Sequence, residues 1–89
     1  MRSHEIKPNL QKILQKLLKK DRSLYEQVMK KIGEVISTYD VEHYKNLRYD
    51  LKNLKRVHIG HFVLVFEFDK IRNHISFDDF DHHDKIFLR

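Results

Sequence analysis

The hydrophobic period of the chain changes once, near residue 40, and that change restricts the fold more than any other feature. Before it, apolar side chains recur every three to four positions. Leu10, Ile13, Leu14, Leu17 and Leu18 follow this spacing, with Lys12, Lys16, Lys19 and Lys20 off the stripe. Such spacing gathers apolar groups on one face of a helix. Leu24, Val28, Ile32, Val35, Ile36 and Tyr39 repeat the pattern and predict a second helix ending at Ser37 or Thr38. Asn9 is the expected cap of the first helix, because its side-chain oxygen can accept a free backbone N–H. Ser23 with Glu26 reads as a capping box for the second. Only Asp21 and Arg22 separate the two, so the helices should fold back as an antiparallel hairpin.

After a polar, basic stretch over 40–55 the period becomes two. Arg56, Val57, His58 and Ile59 alternate polar and apolar. Gly60 permits a sharp turn, and residues 62–68 are almost all β-branched, aromatic or Leu, as in a central strand. Residues 69–73 read as a turn and 74–80 as a further strand. Residues 3–7 form a short strand stopped by Pro8, and 81–89 remain as a tail. The order β-α-α-β-β-β predicts an α+β domain over 1–89. Its twisted, mostly antiparallel sheet carries the helical hairpin on one face.

Composition narrows the function. The 89 residues include no Cys, which excludes a disulfide framework, a thiolate metal site and a Cys nucleophile. No apolar run approaches the roughly 20 residues of a membrane span. The first residues lead into no signal-peptide core, so a cytoplasmic location is expected. Residues 1–60 carry 14 basic and 7 acidic groups, whereas 61–89 carry 4 and 6. A basic first part suits a polyanionic partner, nucleic acid or an acidic protein, although Lys-rich helix faces are also common solvent-facing surfaces.

Histidine is the feature that points to chemistry. Six of the seven fall at His43, His58, His61, His74, His82 and His83. Alternation places His58 on the same strand face as Arg56, opposite Val57 and Ile59. His61 lies just across the Gly60 turn. Imidazoles beside Lys and Arg suit RNA phosphodiester cleavage. One takes the 2′-hydroxyl proton, one gives a proton to the leaving 5′-oxygen, and cations offset charge on the phosphate. RNA brings its own nucleophile, and no cofactor is called for. The run Asp81-His82-His83-Asp84 has the residue types of a metal site. Adjacent residues on a strand point to opposite faces, and the usual ligand spacings are absent, so no metal is assigned.

Three segments carry a family resemblance. They are His43-Tyr44-Lys45-Asn46-Leu47; Arg56-Val57-His58-Ile59-Gly60-His61-Phe62-Val63-Leu64-Val65-Phe66; and His82-His83-Asp84-Lys85-Ile86-Phe87, with His83 four before Phe87. With the Leu-rich first helix and the element order, they resemble the RelE/ParE superfamily of toxins from type II toxin–antitoxin modules. The closest likeness is to the His-rich YafQ-type branch. The resemblance implies a RelE-like domain that enters the ribosomal A site and cuts mRNA there. It further implies acid/base roles for His43, His58 and His83, and a base-positioning role for Phe87. Lys45, Arg48, Lys52, Lys55 and Arg56 would hold RNA phosphates. His61 stands where that branch has an Asp and is taken as its substitute in the catalytic set. Val63 and His83 stand where RelE-type members have Arg, which favours the His-rich chemistry.

A toxin implies a cognate antitoxin, expected to be an extended, partly disordered and acidic segment that folds around the hairpin and basic surface. Two other classes remain open at this point. One is a ParE-like toxin that inhibits DNA gyrase by binding, without catalysis. The other is a non-toxic scaffold that binds RNA or an antitoxin through its charge.

Overall fold

A computed structural model of the chain describes residues 2–47 and 54–88, the last of these for its backbone alone. Among the described residues, four strands and three helices run in the order β1 (Ser3–Ile6), α1 (Pro8–Lys20), α2 (Arg22–Ser37), β2 (Leu54–Ile59), β3 (Phe62–Asp69), β4 (His74–His82) and α3 (His83–Leu88). A short 3-10 turn, Val41–His43, follows α2. None of the described helices is long and apolar enough to cross a membrane.

The two long helices start differently from the expectation. Pro8 occupies the first turn of α1, where its missing N–H costs nothing and its fixed φ suits the helix. Asn9 is therefore already helical and does not cap. Its amide instead donates to the Asp78 carbonyl and to Asp79 Oδ1, both at 3.2 Å, tying α1 to β4. Asp21, not Ser23, caps α2, its carboxylate accepting from the Leu24 N–H at 3.1 Å. Glu26 pairs with Arg22 instead of closing a capping box. Asp21 also ends α1, its own N–H still bonded to the Leu17 carbonyl at 2.8 Å, so a single residue links the helices. Leu18 stays 41% exposed and Tyr39, beyond the end of α2, 97% exposed, so the apolar stripes are shorter than the sequence suggests.

The sheet order is β1-β4-β3-β2. β1 pairs with β4 in parallel, and the other two pairings are antiparallel. One sheet face packs against the hairpin. Leu10, Leu14, Val28, Ile32, Val35 and Ile36 meet Ile59, Leu64, Phe66, Ile75, Phe77 and Phe80 in one buried cluster. A register shift between Val65 and Phe66 marks a bulge opposite 77–79. Asp79 Oδ1 there accepts from the Phe80 N–H at 2.9 Å as well as from Asn9. Arg2 fastens the far end, donating to the Ile36, Thr38 and Tyr39 carbonyls and to Asn73 Oδ1. The Ile36 carbonyl is one that the C-terminus of α2 leaves without a partner inside the helix.

The expected tail is in fact structured. Residues 81 and 82 lengthen β4, and α3 folds onto the sheet face away from the hairpin. Ile86 there joins Val63 and Val65 in a second, small core, with Leu47, Leu54 and Phe87 packed around it. The element order is thus β-α-α-β-β-β-α, and the added helix creates the site.

Candidate functional site

Period-two alternation on β2 sends Val57 and Ile59 into the hairpin core. It leaves Arg56 and His58 on the face that α3 covers. The first residue of α3 is His83, whose backbone N–H donates to the His61 carbonyl at 2.8 Å. This bond, with Ile86 anchored in the small core, brings the His83 ring over that of His58. The ring centroids are 5.5 Å apart and the planes 29° from parallel. Phe87, one helical turn on, lies 4.6 Å from the His83 ring. The Arg56 guanidinium sits 5.0 Å over the Phe87 ring. Arg56 Nε is buried without a hydrogen-bond partner among the described residues. The outcome is one continuous ladder, Arg56–Phe87–His83–His58, built from residues up to 31 positions apart in sequence.

His43 reaches the same place from the other side. Asp40 starts its turn by accepting from the Glu42 N–H at 3.1 Å. The segment after it lies along β2, with Leu47 N–H bonded to the Leu54 carbonyl and Arg56 N–H to the Lys45 carbonyl. A cavity of about 280 Å³ opens between them, lined by His43, Tyr44, Lys45, Arg56, Val57 and His58. His43 Nδ1 is bonded to the Asp40 carbonyl. A carbonyl only accepts, so Nδ1 carries the proton and the neutral ring keeps its lone pair on Nε2. Tyr44 supports the ring at 4.1 Å, and its hydroxyl shares a 3.2 Å hydrogen bond with Thr38 Oγ1.

The electrostatics of His58 favour its neutral form. Loss of water at the sheet surface, then the charges of Arg56, His83 and Lys45, hold its pKa below the ordinary imidazole value. At neutral pH it is uncharged, with a lone pair to take a proton.

The remaining site residues fall elsewhere. His61 does not join the cluster through its side chain; its ring stacks on that of His82 at 6.3 Å. Its contribution to the site is the backbone carbonyl that starts α3. Lys55 is a correction to the phosphate-binding set. It is 3% exposed, and its ammonium donates to the Tyr44 carbonyl and Asn46 Oδ1 and faces Glu42 Oε2 at 3.6 Å. A buried cation so committed locks the segment that carries His43 onto β2 and cannot reach solvent phosphate. Lys45 is exposed at the cavity edge. Arg48 and Lys52 lie outside the described residues. A larger cavity, of about 440 Å³, lies by Arg2, Tyr39 and Asn73, where the guanidinium is already taken by four acceptors.

Sequence reasoning missed Tyr44 as the support of His43, and it missed Asp84. Asp84 Oδ1 lies 3.4 Å from His83 Nδ1 and Oδ2 lies 3.8 Å from His82 Nδ1. Adjacency to His83 is the available signal in the sequence.

No family model matches the chain, and no solved structure matches it significantly. Over 86 residues the chain is 50% identical to a protein of Methanocaldococcus jannaschii named "Putative toxin RelE4", covering 96% of this chain and 89% of that one. It is also 39% identical over 84 residues to an uncharacterized protein of Methanosarcina mazei, covering 93% and 95%.

Proposed function

The chain belongs to the RelE toxin family, and from that premise we propose that it is the toxin of a toxin–antitoxin pair that cuts messenger RNA in the ribosomal A site by histidine acid/base catalysis. The observation that carries this reading is the stacked pair of His58 and His83 beside the buried edge of Arg56. Neutral His58 takes the proton of an RNA 2′-hydroxyl. The freed oxygen attacks the adjacent phosphorus, and the bond from phosphorus to the 5′-oxygen breaks. Protonated His83 gives its proton to that leaving oxygen. The products are a 2′,3′-cyclic phosphate and a 5′-hydroxyl. Arg56 offsets the charge that builds on the phosphate, a role for which a low-dielectric site strengthens each donor.

His43 offers its Nε2 lone pair on the far wall of the cavity and orients the 2′-hydroxyl. Phe87 holds His83 and Arg56 at their spacing. Lys45 gives the phosphate backbone a diffuse positive approach. The ribosome brings the mRNA into register, which supplies the positioning that a small open cavity lacks. The antitoxin silences the protein until it is removed.

The test is the map of mRNA 5′ ends in a translating extract. Wild type should yield ends in register with codons that disappear when ribosomes are withheld, and His83→Ala should yield none. Growth arrest that survives His83→Ala, together with blocked DNA supercoiling, would replace this reading with gyrase inhibition by binding.

A further inference from the structure

One buried titratable group has no part in the chemistry above. Alternation on β2 makes 55, 57 and 59 the positions turned toward the hairpin. Val57 and Ile59 are apolar and join the core, but the third is Lys55, only 3% exposed. Its cross-strand neighbour is the fully buried Phe66. Taking an ammonium out of water is costly, and a well-packed apolar side chain of similar volume is often as stable or more so. Stability alone gives no reason for a lysine at this position.

Its partners give one. The Lys55 ammonium donates to Asn46 Oδ1 at 3.2 Å and to the Tyr44 carbonyl at 3.3 Å, and it faces Glu42 Oε2 at 3.6 Å. The partners are residues 42, 44 and 46. The two residues between them, His43 and Lys45, line the cavity to which Arg56 and His58 also contribute. Backbone bonds hold this segment to β2 at Lys45 and Leu47. The ammonium extends the hold to Tyr44 and Glu42. It also selects one register, since sliding the segment would strand a buried cation without its acceptors.

We propose that Lys55 is a positioning residue of the cleavage site: its buried ammonium fixes residues 42–46 in one register on β2 and so sets where His43 and Lys45 stand beside His58. Its effect on the reaction rests on the reading of His58 as the base, whereas its hold on the segment does not. Lys45 supplies the readout. Loss of water, then the charges of Arg56, His83 and Lys45, hold the His58 pKa low. The His58 titration therefore senses whether Lys45 is in place.

The first measurement follows the His58 ring of the full chain by NMR across a pH series, with no RNA present. In wild type, Lys45→Ala should move the His58 titration upward. In the Lys55→Met background the segment is released, and Lys45→Ala should lose most of that shift. Two charges acting independently on His58 would add without such coupling. Asn46→Ala changes an exposed side chain outside the core, and in that background too the shift should shrink. Asn46→Asp keeps the acceptor and should keep the shift. The second measurement is mRNA cleavage in a translating extract. Lys55→Met should cut about 100-fold more slowly, the cost on the order of a 1 Å misplacement, with a denaturant midpoint no lower than that of wild type. Lys16→Met, at an exposed lysine of α1, should change neither rate nor midpoint.

A Lys45→Ala shift that is absent in wild type, or undiminished in both Lys55→Met and Asn46→Ala, overturns the proposal. So does cleavage by Lys55→Met at the wild-type rate. Loss of the shift in Lys55→Met, in a protein whose wild type cuts no RNA, would remove the cleavage reading and still support the hold of Lys55 on the segment.

Discussion

The two faces of the sheet are built to different ends. On one, twelve buried residues from the helical hairpin and three strands, with Val41 of the 3-10 turn, form a continuous apolar core among the described residues that includes Phe66 and Phe77, both fully buried. On the other, among the described residues only Val63, Val65 and Ile86 are buried together, with Leu47, Leu54 and Phe87 half-buried around them. The first face can hold the domain together. The second buries just enough to seat α3 and leaves Arg56, His58 and His83 at its margin. A small domain is thereby able to keep charged, partly solvated groups close together without placing them in the core, where unpaired charge is expensive.

Removing Phe77 to Ala should have the largest effect on stability, about 3–5 kcal/mol, because a fully buried aromatic leaves a cavity that its neighbours cannot fill. Calorimetric or denaturant unfolding measures it. The matching change on the other face, Ile86→Ala, should cost about 2–3 kcal/mol or less. Its distinctive result should be loss of mRNA cleavage in protein that still unfolds cooperatively, since α3 is then free to carry His83 away from His58. If Ile86→Ala retains full cleavage, the small core does not position the site and the contrast between the faces fails.

A smaller effect concerns pH. The cleavage rate needs His58 unprotonated, so the acidic limb of the pH–rate profile follows His58 and should lie below about pH 6.5. Lowering the pH through that limb protonates the base and stops the reaction. Lys45→Ala removes one of the charges that depress the His58 pKa, so the limb should move upward toward the ordinary imidazole value while the maximum rate changes less. A limb that stays in place, or moves down, would mean that His58 is not the base. The smallest effect separates the two candidate caps of α2. Asp21→Ala should cost about 1 kcal/mol, and Ser23→Ala should stay within about 0.5 kcal/mol, both read from thermal unfolding.

Much of this architecture was legible in the residues. The stripes through Leu10, Leu14, Val28, Ile32, Val35 and Ile36 depend only on helical geometry and found their core. The alternation from Arg56 to Ile59 placed Arg56 and His58 on a common face for an equally local reason. Boundaries are less legible, because competing caps sit within two residues of each other: Asp21 caps α2 where Ser23 also fits the pattern, and Pro8 opens the helix beside the cap-like Asn9. The tail was the main omission. Six residues are too few for a periodic signal, and α3 is held by contacts with Val63 and Val65 and by the His61 carbonyl.

The amino-acid sequence by itself determined an α+β order, a basic first part and a set of histidines, because period, charge and residue type are properties of neighbours along the chain. Which histidines meet was decided only by the tertiary structure. His83 joins His58, while His61 turns to His82, because α3 folds across the far face of the sheet. Lys55 leaves the surface because Glu42, Asn46 and the Tyr44 carbonyl surround it with acceptors. Contacts of that kind arise from the packing of distant segments, and no local pattern encodes them.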